Sequence, residues 1–470
     1  MKSLHRLAIV GTPVVAIATV AIGLRVGAHD PVHAAIVYAA PRARGASALA
    51  WQVVTLVDDR GVRETERRKI TVHARAAHAT GGPKEATWSG ETNEDGVAEA
   101  ALDLPGLARG EPIDLEVTAE GVHEPLARGR ADGDDAAWMN SAPGPFARAS
   151  KREGAIAIDV AVLGGRLTPR VPVPLWIRAT SRADGHPIAG ATIQVEPEPG
   201  LDVTPSTQTT CPVGWARFSA SPVMFTAQLS VHARTPDGRS GEWFGATQVV
   251  PGALAVNVEE PIKAGAPLAV ALHAATVRPA YVEVDDDEGR AVAAIAELAP
   301  EGGGAQGTVT LPALTPGLKW LVASSEPRGA ETLEAATRAI PILVPGSPLP
   351  ASAPNPSDAC AVGAYLAMHP AGSFRRWVAL DGFVGRAATN AARRKRGQAI
   401  ALLSLAAASL LELLLLLSAA RRGAAFADDL EEARTLAPRK GLRSMGQVAI
   451  GILAALLGFG LLAALVLARA

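Results

Sequence analysis

Two long apolar runs near the C-terminus constrain this chain more than any other feature. Ala399 to Ala420 reads AIALLSLAAASLLELLLLLSAA, and Val448 to Ala468 reads VAIGILAALLGFGLLAALVLA. Each is close to the roughly 20 residues that cross a bilayer core. Both are apolar all round, so neither has the one-sided pattern of a helix on a soluble core. A third run, Leu7 to Leu24, follows Lys2 and Arg6 and is also long enough to span. Residues 1–26 therefore read as an uncleaved signal anchor. A cleaved signal peptide competes: Val26-Gly27-Ala28 resembles a small-residue cleavage site, and Arg25 stands against it.

The loop charges give an orientation and one conflict. Lys2 and Arg6 set the N-terminus inside, and residues 27–397 then lie outside, in a periplasm. The loop 421–447 returns to the cytoplasm, in keeping with Arg421, Arg422, Arg434, Arg439, Lys440 and Arg443. Against this, Arg393-Arg394-Lys395-Arg396 sits just outside the 398–420 span. The expected location is a bacterial inner membrane with the large central region in the periplasm.

That central region alternates with period two. Leu115-Glu-Val117-Thr, Ile156-Ala-Ile158-Asp-Val160, Leu175-Trp-Ile177-Arg and Ala280-Tyr-Val282-Glu-Val284 are half-buried strand patterns. Turn clusters such as Glu94-Asp95-Gly96, Ala183-Asp184-Gly185 and Pro236-Asp237-Gly238 punctuate them. With 46 Gly and 35 Pro in 470 residues, short strands and many turns are favoured over long bundles. The fold class expected is mainly β: tandem antiparallel β-sandwiches plus one N-terminal and two C-terminal membrane helices. Weak repetition supports tandem domains. Thr92-Asn-Glu-Asp-Gly96-Val-Ala98 aligns with Thr210-Cys-Pro-Val-Gly214-Trp-Ala216, and Gly110-Glu-Pro112 with Gly265-Ala-Pro267.

These units, with Ala183-Asp-Gly185-His-Pro187-Ile-Ala-Gly190-Ala-Thr-Ile193, resemble the immunoglobulin-like domains of bacterial surface proteins. In particular they look like macroglobulin-type and carboxypeptidase-regulatory-like domains, over about residues 45–345. The motifs describe a hairpin geometry, not a chemistry. The Cys-Gly-x-Gln thioester signature of full macroglobulins is absent, so the resemblance does not imply covalent trapping. The expected boundaries are sandwiches at 45–135, 152–252 and 253–345. A Pro-rich, extended spacer follows at 346–372, then a juxtamembrane amphipathic helix at 373–397 built on Phe374, Trp377 and Leu380, and the last span at 448–468. That helix would lie on the membrane surface, where its basic cluster would meet anionic headgroups.

Catalytic motifs are missing. No Gly-x-Ser-x-Gly, Walker loop, His-Glu-x-x-His or Cys-x-x-Cys occurs. His73 and His78 have neither helical nor zinc-knuckle spacing. Asp285-Asp-Asp-Glu288-Gly289 reads as a solvated hairpin turn and Asp132-Gly-Asp134-Asp135 as a linker; neither has the spacing of a calcium loop. Neither a metal nor a cofactor is expected. The tryptophans, among them Trp51, Trp176, Trp215, Trp243 and Trp320, read as core filling. Cys211 and Cys360 read first as two free thiols; the second reading is a disulfide that would staple the spacer to the second sandwich. Glu412, alone in mid-membrane, has two readings: a protonated carboxyl with no role of its own, or a residue of helix–helix or subunit packing.

The 45 basic and 46 acidic residues nearly cancel, which excludes a nucleic-acid binder working by bulk charge. The expected function is a non-enzymatic inner-membrane protein that presents its sandwiches for protein–protein contact or envelope assembly. Its partners would be the lipid bilayer and another envelope protein. A ligand- or glycan-binding sensor and an accessory subunit of a membrane enzyme or transporter are the alternatives.

Overall fold

The computed structural model describes most of residues 31–132, 146–328 and 337–432, with short gaps, together with residues 140–141 and scattered positions in the first and last apolar runs. His33–Val57 and Glu64–Gly382 form one compact unit, built of antiparallel sheets.

The first sandwich holds β1 (Val32–Ala39), β2 (Ala48–Asp59), β3 (Val62–Thr65), β4 (Lys69–Ala76), β5 (Glu85–Glu91), β6 (Val97–Asp103), β7 (Pro112–Ala119) and β8 (Ala127–Asp132). One sheet runs β1-β2-β3 with β6 also on β2; the other runs β5-β4-β7-β8. Alternation explains the layers. In β4, Ile70, Val72, Ala74 and Ala76 point inward, and Lys69, His73 and Arg75 point out. Leu49, Trp51 and Val53 of β2 close the core against them.

The second sandwich comprises β10 (Arg148–Gly154), β11 (Ile156–Val162), β12 (Val173–Ser181), β13 (Thr192–Pro197), β14 (Leu201–Thr204), β15 (Thr207–Thr209), β16 (Trp215–Pro222), β17 (Thr226–Arg234) and β18 (Ser240–Gln248). Its sheets are β10-β18-β17-β13-β15 and β11-β12-β16-β14. The third has β19 (Ala255–Val258), β20 (Leu268–Ala274), β21 (Pro279–Asp285), β22 (Arg290–Glu297), β23 (Ala299–Glu301), β24 (Gly304–Leu311), β25 (Gly317–Ser324) and β26 (Thr337–Val344). Here the orders are β19-β20-β24-β23 and β22-β21-β25-β26.

The repeated Thr-x-x-x-Gly-x-Ala motif is one device used twice. Gly96 and Gly214 sit at φ 71° and 78°, where a side chain is strained. Each offers its carbonyl to a neighbouring strand, at Thr55 N and Ala179 N, both 2.8 Å. The motif threonine is buried in both. Thr92 Oγ1 accepts from Arg68 N at 2.8 Å, and Thr210 Oγ1 donates to Ile188 O at 2.7 Å.

Beyond residue 345 the structure departs from expectation. The segment 346–372 is not an extended spacer throughout. It contains helix α1 (Ala359–Ala367), capped by Asp358 Oδ1 accepting from Ala361 N at 3.0 Å. Ala364, Leu366 and Ala367 join the core of the third sandwich. Two short strands, β9 (Asn140–Ser141) and β27 (Gly372–Ser373), then pair.

The amphipathic helix expected at 373–397 is replaced in its first half by β28 (Trp377–Asp381), antiparallel to β1 from Ala39↔Trp377 to Ile36↔Asp381. Helical spacing of Trp377 and Leu380 was misleading, because strand pairing with β1 outweighs a short amphipathic stripe. The first sandwich therefore begins at β1, before residue 45, and is completed by residues 377–381. The second begins at β10, inside the stretch expected as a linker.

Helix α2 (Arg386–Glu432) follows and belongs to the second compact unit of the chain. Among the described residues it is the one helix long and apolar enough to cross a membrane, over Asn390–Ser418. The expected spans at 1–26 and 448–468 lie largely outside the described residues. Their described side chains include Val20, buried with Ala401 and Leu405 of α2, and Ala463 packed against that cluster. The expected loop 421–447 is helical up to Glu432, and the rest of it lies outside the described residues.

Candidate functional site at the sandwich junctions

Strand β21 is buried on both faces, and the two faces differ in chemistry. Ala280, Val282 and Val284 enter the apolar core of the third sandwich. Tyr281, Glu283 and Asp285 point the other way and are buried too, at 1–4% exposure. What covers them is the outer face of the first sandwich, through Gln52 of β2 and Glu99 of β6.

Arg290 of β22 is the centre of this layer. Its Nη2 lies 2.9 Å from Glu99 Oε1 and its Nε 2.8 Å from Glu283 Oε2, while Nη1 donates to Ala50 O at 3.1 Å. Arg376, just ahead of β28, pairs with Glu283 and donates to Pro327 O at 2.8 Å. Gln52 Nε2 donates to the same carbonyl at 2.6 Å and to Glu99 at 3.2 Å. Asn93 Nδ2 donates to the Tyr281 hydroxyl, which donates to Asp95 Oδ2, both at 2.8 Å. Lys319 Nζ meets Asp286 Oδ2 at 2.9 Å.

The electrostatics follow from burial and pairing. Burial alone would raise the Glu283 carboxyl, but Arg376 and Arg290 outweigh it and hold Glu283 below its ordinary value. Asp285 is the opposite case. Burial, then the charge of Glu283, pushes it well above the ordinary range. Neither Asp285 oxygen has a hydrogen-bond partner among the described residues. The layer brings together five acids (Asp95, Glu99, Glu283, Asp285, Asp286) and three bases (Arg290, Lys319, Arg376).

The hairpin that carries these acids is docked by backbone as well. Arg290 N donates to Pro41 O at 2.6 Å, and Ala43 N to Arg290 O at 3.1 Å. A Cβ on Gly289 would lie 2.3 Å from Pro41 O, so no larger residue fits there. The turn 285–288 was expected to be solvated; Asp285 and Asp286 are instead buried, because another domain lies on them.

A second junction joins the second and third sandwiches. Arg338 of β26 is buried and donates to the carbonyls of Leu163 and Arg166. In β12, Leu175 and Ile177 fill the second core, whereas Trp176 faces outward into the third, with Trp215. A Cβ on Gly363 of α1 would lie 1.9 Å from the Trp176 ring, so that helix rests directly on the indole. Cys211 and Cys360 are joined in a disulfide with Cα atoms 6.7 Å apart, which fixes α1 to the second sandwich. Two free thiols, the first reading of the sequence, are thus corrected: α1 packs between the sandwiches and brings Cys360 to the Cys211 turn.

Of the other residues singled out, His73 lies on the outer face of β4 and shares a hydrogen bond with Thr87 Oγ1 at 3.0 Å. Glu412 lies on α2, buried, with Oε2 unpartnered among the described residues. No group of three metal-ligating side chains occurs among the described residues. The junction residues Glu99, Glu283, Arg290, Arg338 and Arg376 carry no sequence signal, since charge on an alternating strand ordinarily marks its wet face.

No family model matches the chain, and no curated protein matches it. Similar solved structures include native α-2-macroglobulin of Escherichia coli, at 12% identity over 67% of this chain and 22% of that one, TM-score 0.17. The adhesin InvE of Yersinia pseudotuberculosis is 10% identical over 55% and 72%, TM-score 0.17. The Escherichia coli adhesin FdeC is 12% identical over 67% and 97%, TM-score 0.16. The match thus spans under a quarter of the macroglobulin's length. The chain's own sheets establish the fold: tandem antiparallel β-sandwiches.

Proposed function

We propose that this chain is a non-enzymatic protein of a bacterial inner membrane that presents three locked sandwiches, in the periplasm, as a rigid surface for another envelope protein. The observation that carries this reading is closure. The last strand before the membrane helix, β28, returns to the first sandwich, and Arg376 beside it enters the buried charge layer. The disulfide supports the periplasmic side, because such bonds persist in oxidising compartments.

The loop Val223-Met224-Phe225, between β16 and β17, is 51–71% exposed and supplies apolar contact area. A photo-crosslinking amino acid at Phe225 in cells tests the proposal. A reproducible protein adduct of one size is expected; no adduct at Phe225 or at neighbouring exposed sites contradicts it. A second reading, an accessory subunit of a membrane complex, is favoured by buried Glu412. Glu412→Gln would then dissociate a larger species on a native gel.

A further inference from the structure

The cluster Arg393-Arg394-Lys395-Arg396 lies on α2 itself, in unbroken helix with the apolar span. We propose that it is a binding collar for anionic phospholipid headgroups in the membrane leaflet on the sandwich side.

Helix geometry sets the depth. At 1.5 Å per residue, the 22 residues Ala399 to Ala420 span about 33 Å, against about 30 Å for the hydrocarbon core. Arg396 and Arg393 then stand about 4.5 and 9 Å beyond the apolar edge. The headgroup layer is roughly 5–7 Å thick on each side, so these side chains reach phosphate depth. The helix cannot slide away from that position, because Arg421 at its other end is exposed and would be drawn into hydrocarbon.

Charge complementarity points to the same occupant. Four successive residues, at 100° each, wrap most of the helix circumference. Arg393, Lys395 and Arg396 are exposed. No acidic residue lies between Asp381 and Glu412, so the exposed Arg393, Lys395 and Arg396 have no acidic neighbour within two helical turns. The proposal rests on the periplasmic reading above. A basic cluster beside a span ordinarily stays in the cytoplasm, whereas the disulfide lies on the chain side that this cluster borders. Anionic headgroups are the counter-charge that makes this placement favourable.

The test uses the full chain in lipid nanodiscs. Spin-labelled phosphatidylglycerol and phosphatidylcholine report the lipid immobilised at the protein surface. A preference of on the order of fivefold for phosphatidylglycerol is expected, corresponding to one fully engaged side chain, and it should weaken with salt. The variant R393Q/R394Q/K395Q/R396Q should lose it, while the charge-preserving R393K/R394K/R396K keeps it. Equal association of both lipids with the native chain, or a preference that survives in the glutamine variant, overturns the proposal. Soluble glycerol phosphate in excess should not displace the lipid; displacement would assign the site to free phosphate and overturn the lipid reading. Sidedness is tested separately, by labelling reduced Cys211 and Cys360 in cells with an impermeant maleimide. A cytoplasmic result would sink the periplasmic reading without altering the nanodisc result.

Discussion

Arg290 of the third sandwich sets its guanidinium 2.9 Å from Glu99 of the first, with both side chains at most 4% exposed. A buried pair of this kind is expensive to break from one side, because the remaining charge has no water to return to. Arg290→Met should destabilise the protein by about 3–5 kcal/mol in denaturant unfolding. The double variant with Glu99→Gln should recover part of that loss. Strict additivity of the two changes would show that the pair is not coupled.

Asp285 and Glu283 predict opposite pH effects. The folded-state value of Asp285 is raised. Its contribution is therefore fully present below the unfolded value of about 3.9 and is lost as pH rises through the folded one. At neutral pH, Asp285→Asn should stabilise by on the order of 1–3 kcal/mol, because the amide is neutral without taking up a proton on folding, and the gain should shrink on acidification. Glu283 is held low, so its contribution is present at neutral pH and lost as pH falls. Glu283→Gln should destabilise most near pH 7. Thermal melts of both variants from pH 4 to 8 check the two slopes; parallel slopes would contradict the assignment.

The disulfide closes a loop of 149 residues. Chain entropy alone gives on the order of 5 kcal/mol for such a loop, and native bridges typically contribute about 2–4. Cys360→Ser should lower stability within that range. Hydrogen exchange should rise at 359–367, where α1 loses its tether to the second sandwich. Unchanged protection there would mean that packing on Trp176 suffices.

Strand β28 depends on Gly382, where a Cβ would lie 1.9 Å from Leu126 O. Gly382 N also donates to Ala35 O at 2.9 Å. Gly382→Val should unpair β28 from β1 and raise exchange at 32–39, while the second sandwich stays protected. Protection of β1 equal to the native chain would argue against the return strand.

Much of the fold was legible because each strand solves its burial locally. Alternation in β4, β11 and β20 names the inward side chains, and the Thr-x-x-x-Gly-x-Ala motif fixes two equivalent hairpins. What was hidden is non-local. Trp377 and Leu380 fit a helix stripe and a strand edge equally well, and only pairing with β1, more than 330 residues earlier, decides between them. The junction charges were hidden for the same reason. Glu283 between Val282 and Val284 looks wet until another sandwich covers it. Cys211 and Cys360 were visible as residues, but their bond depends on α1, which Pro-rich flanks disguised as spacer.

The central claim is that the sandwiches form one rigid body. The native cysteines are bonded to each other, so spin labels can be placed on Glu85→Cys in the first sandwich and Val277→Cys in the third. Electron–electron distance measurement on the full chain should give a single narrow distribution, which Arg290→Met broadens. A broad or multi-peaked distribution in the otherwise native chain would contradict the claim: the sandwiches would then be hinged beads, and the buried charge layer would not hold them together.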